Sequence, residues 1–293
     1  MLKGLIISAR PHHWIKNLIV FAALIFAREY TNPQKIGLAI LAFAAFCLIS
    51  SGIYLINDVL DRENDRNHPV KSKRPIAAGQ VPIPAAVAFA TFLLIAGIIL
   101  ATFINTGTVM TVAGYIVLNI AYSIYLKHIV IIDVMTIALG FVIRAVAGAL
   151  AISVPISPWL LVCTTLLALF MGFGKRRHEI SLLTDGASGH RRSLEHYSVR
   201  FLDQMISVVT ASTVVAYAFY TLSPEIENRF GTKWLPLTIP FVLYGIFRYL
   251  YLIFHKKEGG SPTKLLLTDP PLILCVILWM VSVILVINFG SSE

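Results

Sequence analysis

Asn57-Asp58-Val59-Leu60-Asp61-Arg62-Glu63-Asn64-Asp65-Arg66 closes a long apolar run, and Lys71, Lys73 and Arg74 follow it directly. Four acidic side chains fall within eight residues. On a helix, positions 58, 61 and 65 share one face, and Asn57 lies on its flank in register with Asp61 and Asp65. Three stacked carboxylates repel one another, and a divalent cation relieves that repulsion. Mg2+, which takes one or two carboxylates together with substrate phosphate oxygens, suits such a face. The competing reading is a solvated helix end laced by pairs such as Asp58–Arg62 and Asp61–Arg66. Exposed pairs of that kind are worth only ~0.3–0.5 kcal/mol each and do not require this arrangement beside an apolar run.

Working outward, the 293 residues are 57% apolar and 13% charged, against roughly 25% charged in an average soluble protein. With a mean hydropathy of +0.78, the chain reads as an all-α polytopic membrane protein. A helical span needs ~20 apolar residues. Nine candidate runs lie near 12–28, 36–57, 82–103, 107–126, 129–152, 156–174, 203–223, 235–254 and 270–289. The first is short, and Pro11 breaks its start. Arg10-Pro11-His12-His13 interrupts the apolar core that a signal peptide requires, so none is expected.

The net charge of +9 follows from topology rather than from nucleic-acid binding. With the N-terminus inside, eighteen of the 24 basic residues fall in cytoplasmic segments. The outer side keeps only Arg28, Lys35, Arg229 and Lys233, and Arg144 and Arg248 lie within spans. The positive-inside rule then sets an N-in, C-out orientation in the cell's inner or plasma membrane. Cys47, Cys163 and Cys275 stand singly in apolar runs, with no disulfide or metal spacing.

Several polar residues stand out along the chain. Arg10 and Lys16 suit inside anchors and Trp14 the interfacial belt. Lys71, Lys73 and Arg74, in a loop broken by Pro69, Pro75 and Gly79, are suited to neutralise phosphates or to fix topology. Lys127 and Asp133 are placed to pair at the interface. Arg144 sits mid-span, where a charge costs at least ~2.5–3.5 kcal/mol, so it should face a polar cavity or a partner. Gly140 and Gly148 lie at near-helical spacing from it, as close packing of helices would require. A second long loop opens at Gly174-Lys175-Arg176-Arg177-His178-Glu179, with Asp185 isolated beyond it, and runs through Arg191 and Arg192 to Tyr197. The aromatics of the last three spans read as packing and interfacial anchors.

Asn-Asp-x-x-Asp-x-x-x-Asp at 57–65 resembles the first aspartate-rich motif of the UbiA superfamily of intramembrane prenyltransferases. The longer string Asn57–Gly79, with His68-Pro69 and Arg74-Pro75-Ile76-Ala77-Ala78-Gly79, resembles the decaprenyl-phosphate phosphoribosyltransferase branch. So do Arg-Pro-x-x-Trp-x-Lys-Asn at 10–17, Gly-Lys-Arg-x-x-Glu at 174–179 and Arg-x-Ser-Leu-Glu-x-Tyr through Tyr197. Ordinary members carry a second aspartate-rich motif in the second loop, and this chain departs from that pattern.

The resemblance implies a single membrane domain over 1–293, with about nine helices around a central cavity open to the cytoplasm. Loops near 58–81 and 175–202 would cap the active site. The implied substrates are phosphoribosyl diphosphate and a polyprenyl phosphate lipid, and the implied cofactor is Mg2+ on Asp58, Asp61 and Asp65, oriented by Asn57. Lys16, Asn17, Tyr122 and Lys127 would face substrate phosphates. Lys71, Lys73, Arg74, Arg144, Lys175, Arg176, Glu179 and Tyr197 complete the expected binding set. The lipid bilayer is the partner, nucleic acid is not, and homo-oligomerisation is left open. The rival functions are an ordinary prenyltransferase acting on a prenyl diphosphate and a small acceptor, and a transporter lined by the intramembrane charges.

Overall fold

Polar caps and prolines start most of the long helices. The structure, a computed structural model, describes the backbone of residues 1–68, 70–184, 196–256 and 262–290, and the side chains of all of these except 182–184 and 262–264. Helix α1 is Leu2–Ala9. A 3-10 helix over Pro11–Phe21 runs into the short α2, Ala22–Phe26. The Asn32 side chain accepts from the amides of Gln34 (3.1 Å) and Lys35 (3.3 Å), with Pro33 at the first helical position, and so launches α3, Pro33–Leu60. A five-residue α4, Arg62–Arg66, follows. Next come α5 (Ile83–Thr102), α6 (Thr106–Ile124), α7 (Ile132–Ala151) and α8 (Pro158–Thr184). The chain continues with α9 (Val199–Leu222), α10 (Pro224–Phe230), α11 (Ile239–Phe254), α12 (Pro262–Thr268) and α13 (Pro270–Phe289). Asn105, Ser198 and Asp269 cap α6, α9 and α13 by the same device, each accepting an amide three residues on.

Eight of the nine anticipated runs form helices long and apolar enough to cross a bilayer. The first run is the exception. Its polar residues and Pro11 give a 3-10 helix and then one short α-helix, which ends before Arg28 in a left-handed conformation (φ 59°).

Packing groups the chain into two units, one of residues 1–157 with 183–196, the other of 158–182 with 197–293. In the first, α3 lies along α5 and α6 along α7, and the 3-10 helix packs against both α3 and α7. Val20, Ala42, Phe46, Ile49, Val112, Tyr115 and Ala147 form its central core. Small residues allow the close approaches: a Cβ on Gly148 would lie 2.0 Å from the Val20 carbonyl oxygen, and one on Gly97 only 2.7 Å from Ile49. Helix α1 buries Leu5 among Leu55, Ile76, Val81 and Ala86. Its Gly4 sits so close to Val81 and Pro75 that α1 holds down the 75–81 loop.

In the second unit, α11 packs on α13 and α9. The Tyr217 hydroxyl accepts from Trp279 Nε1 (2.8 Å) and lies 2.7 Å from Thr238 Oγ1, joining α9, α13 and the turn before α11. Tyr217, Tyr220 and Tyr249 are buried, whereas Phe219, Tyr244, Phe247 and Tyr251 are exposed. The buried tyrosines take the packing role anticipated for these aromatics. Asp269 accepts two bonds from Arg248, at 3.0 and 2.8 Å, and this guanidinium holds its carboxyl below the usual carboxylate range.

Candidate active site

The acidic motif straddles a joint between helices. Helix α3 ends at Leu60, Asp61 stands at the junction, and α4 carries Asp65. Main-chain bonds cross the joint, from Asp61 N to Asn57 O (2.9 Å) and from Asp65 N to Asp61 O (2.8 Å), and keep the helical register nearly intact. Asp58 and Asp65 are buried, at 2% and 3% exposure. Burial on that scale demands compensation for each charge.

Basic side chains drawn from three other segments supply it. Arg10 bonds Asp58. Arg74 Nη1 donates to Asp58 Oδ1 (3.1 Å) and to Asp65 Oδ2 (2.6 Å), bridging the two carboxylates. Lys127 Nζ donates to Asp61 Oδ1 (2.6 Å), and Asn57 Nδ2 donates to Asp61 Oδ2 (3.1 Å). Neither of the pairs Asp58–Arg62 and Asp61–Arg66 forms among the described residues. Arg62 instead faces Glu63 (3.6 Å), and Arg66 donates to the Ala77 carbonyl (3.1 Å) and tethers the loop.

The partners of the motif were not legible as partners. Lys127, placed by its sequence position near Asp133, reaches Asp61. Arg10, whose sequence position suits an inside anchor, reaches the centre of the cluster. It adopts a left-handed backbone (φ 52°) before Pro11, a position where the ordinary helical region is disfavoured. Its guanidinium also stacks 5.1 Å from the centre of the Tyr54 ring. The clustering of Arg10 with Trp14, Lys16 and Asn17 in one short motif was the signal that could have found it.

Among the described residues no group of three or more His, Cys, Asp or Glu is gathered tightly enough to hold a metal ion, because basic side chains interleave with the carboxylates. The donors nonetheless fit Mg2+. They are hard oxygens, and two carboxylates converge on one cationic nitrogen of Arg74, so the cluster already presents a two-carboxylate seat for positive charge.

Arg144 occupies a second buried position in the same unit. Its Nε donates to Asn17 Oδ1 (2.7 Å), Nη1 to the Gly140 carbonyl (2.9 Å) and Nη2 to the Tyr115 hydroxyl (2.5 Å), and its guanidinium lies 4.5 Å from the centre of the Tyr115 ring. Asn17 is in turn fixed by bonds from its Nδ2 to Ser50 Oγ and Cys47 Sγ, both 3.3 Å. Both ends of the Asn17 amide are thus engaged by protein groups, and it orients Arg144. The ammonium of Lys16 lies in the field of Arg144 and Arg10.

The remaining candidates spread more widely. Lys73 is exposed on the loop, while Lys71 and Tyr122 are partly buried. In the second unit Arg176 is buried and bonded to Glu179, with Lys175 3.9 Å from the same carboxylate. Arg177, outside the expected set, bonds Asp203 (2.5 Å). Tyr197 is buried. Asp185, Arg191 and Arg192, like Pro69 in the first loop, lie outside the described residues.

Known proteins resemble this chain over most of its length. The UbiA prenyltransferase family model matches residues 17–268. A decaprenyl-phosphate phosphoribosyltransferase of Mycolicibacterium smegmatis is 35% identical, over 96% of this chain and 91% of its own. One of the same name from Corynebacterium glutamicum is 32% identical, over 97% and 86%. In fold, a UbiA homologue of Archaeoglobus fulgidus solved with GPP and Mg2+ superposes with a TM-score of 0.73 at 21% identity, covering 97% of this chain and 99% of that one. With eight bilayer-length apolar helices and a family match over most of its length, the chain is an integral multi-pass membrane protein and belongs to the UbiA prenyltransferase family.

Proposed function

We propose that this chain transfers 5-phosphoribose from 5-phosphoribosyl 1-diphosphate to decaprenyl phosphate, or a related polyprenyl phosphate, and releases diphosphate. The observation that carries the reading is the 35% identity, along 96% of the chain, to a relative bearing the name decaprenyl-phosphate phosphoribosyltransferase. The charge pattern supports it. Lys16 and Arg144 add positive charge beside a cluster whose own charges cancel, which favours an anionic ligand.

In this reading Asp58, Asp61 and Asp65 hold Mg2+, and Asn57 fixes the Asp61 carboxylate that it already bonds. Bound there, Mg2+ supplies Lewis-acid stabilisation of the departing diphosphate. The acceptor phosphate is an anion before reaction, so no strong general base is required of the protein. The work left to the side chains is positioning and electrostatics. Lys16, Arg74, Lys127 and Arg144 orient phosphates in the first unit. Lys71, Lys73, Tyr122, Lys175, Arg176, Glu179 and Tyr197 complete the proposed binding set. The bias of basic residues supports an active site on the cytoplasmic side, with the N-terminus inside.

The test uses detergent-purified protein with Mg2+, labelled phosphoribosyl diphosphate and decaprenyl phosphate. Label should pass into an organic-extractable lipid, and chelator or Asp58→Asn should abolish that transfer. No labelled lipid, with consumption of a prenyl diphosphate in the presence of an aromatic acceptor, would instead make the chain an ordinary prenyltransferase.

A further inference from the structure

The three aspartates of the acidic motif are matched by three cations, and the formal charges of these six groups cancel. A bare divalent ion entering this cluster would either displace a seated guanidinium or ammonium, or leave an excess of two positive charges in a poorly hydrated site. Lys16 and Arg144 lie on the same side of that balance. Arg144 is held by neutral groups, and Lys16 forms no ion pair among the described residues. Divalent charge alone is therefore disfavoured, and divalent charge brought in with a polyanion is not.

The three cations are not equally able to move. Lys127 is buried against Asp61. The Arg10 side chain is more buried than that of Arg74, at 16% exposure, and its guanidinium also lies on the Tyr54 ring. The Arg74 side chain is the most exposed of the three, at 27%, and it bridges two carboxylates. Its backbone is nevertheless anchored, because Pro75, Ile76, Ala77 and Val81 are buried and Gly4 packs onto Pro75 and Val81. Motion is thus confined to the side chain.

Resting on the metal-diphosphate reading above, we propose that Arg10, Arg74 and Lys127 are resident counterions. They exclude a bare divalent cation and yield to one only when it arrives with diphosphate, Arg74 then turning from the carboxylates to the phosphate oxygens. The metal site is completed by the substrate's leaving group rather than preformed by the protein.

Equilibrium dialysis of the full-length protein in detergent, with Mn2+ as a countable ion and inorganic diphosphate as the probe, tests this without any turnover. The wild-type chain should retain Mn2+ at least about tenfold more tightly when diphosphate is present, and the two should be retained in equal amounts. Arg74→Gln should retain Mn2+ without diphosphate, while Arg74→Lys, which keeps the charge, should behave as wild type. Equal Mn2+ retention by the wild type with and without diphosphate would overturn the inference and leave the metal reading standing, and this arm needs no variant. A monodisperse Arg74→Gln protein that still requires diphosphate would remove Arg74 from the role. Failure to retain Mn2+ under every condition would overturn the metal assignment itself.

Discussion

Asp58 and Arg144 belong to the same unit and are similarly buried, at 2% and 5% exposure, yet their charges are met differently. Asp58 is met by charge, from Arg10 and Arg74. Arg144 is met by dipoles and a ring face, from Asn17, Tyr115 and the Gly140 carbonyl. A charge paired with an opposite charge presents little field to a ligand until the pair is broken. A charge held by dipoles keeps its field. The first arrangement can exchange partners, and the second can attract an anion without moving. Charge this deep tends to be retained for function, because an apolar replacement is often as stable.

Substitutions can break or sharpen that contrast. The largest effect is expected for Asp58→Asn, which halves the two-carboxylate seat and leaves Arg10 and Arg74 undercompensated. Label transfer to lipid should fall by at least about a thousandfold, or ~4 kcal/mol of barrier, while the protein still inserts. Near-normal transfer would dissolve the distinction. Arg144→Met comes next, with a fall of about a hundredfold and only a modest change in thermal midpoint, since the cost of burying the charge is lost with it. A collapse of stability would show that Arg144 serves the fold instead.

Asn17→Ala should act in the same direction as Arg144→Met but more weakly, about tenfold. It frees the Arg144 Nε without removing the charge, and the double variant should then be no worse than Arg144→Met alone.

The smallest effect on transfer is expected from Asp269→Asn, in a paired charge of the other unit that serves as baseline. Arg248 depresses the Asp269 pKa, so the pair's contribution is present above the ordinary carboxylate value and lost as pH falls through the lowered one. The gap in thermal midpoint between wild type and Asp269→Asn should therefore be open at neutral pH and close in strong acid.

Hydropathy made eight of the spans legible because each is a run of uniform composition long enough to cross a bilayer. The acidic motif was legible for a similar reason, since its residues are neighbours in the chain. Its counterions were not. Arg10 and Lys127 lie 48 and 66 residues from the carboxylates they bond, Arg74 lies 16 and 9 from its two, and Asn17 lies 127 from Arg144. No local spacing encodes such pairings. Repulsion among the three carboxylates calls for positive charge nearby, and basic side chains from distant segments supply it in the folded chain. Resemblance to a family marked Arg10, Lys16 and Asn17 as belonging together without saying that one would bind an aspartate and another an arginine.

The 3-10 helix over Pro11–Phe21 sets a reach as well as a conformation. Runs of this type seldom exceed three or four residues, and this one has eleven. At ~2.0 Å per residue it extends about 22 Å, where an α-helix of the same length would extend about 16 Å. Three residues per turn also stack Trp14, Asn17 and Val20 along one edge. Trp14 and Asn17 meet Ser51 and then Ser50 with Cys47 along it, and the Val20 carbonyl lies against Gly148. Stretching the backbone thus works as a ruler that sets the depth at which Arg144 finds its amide partner.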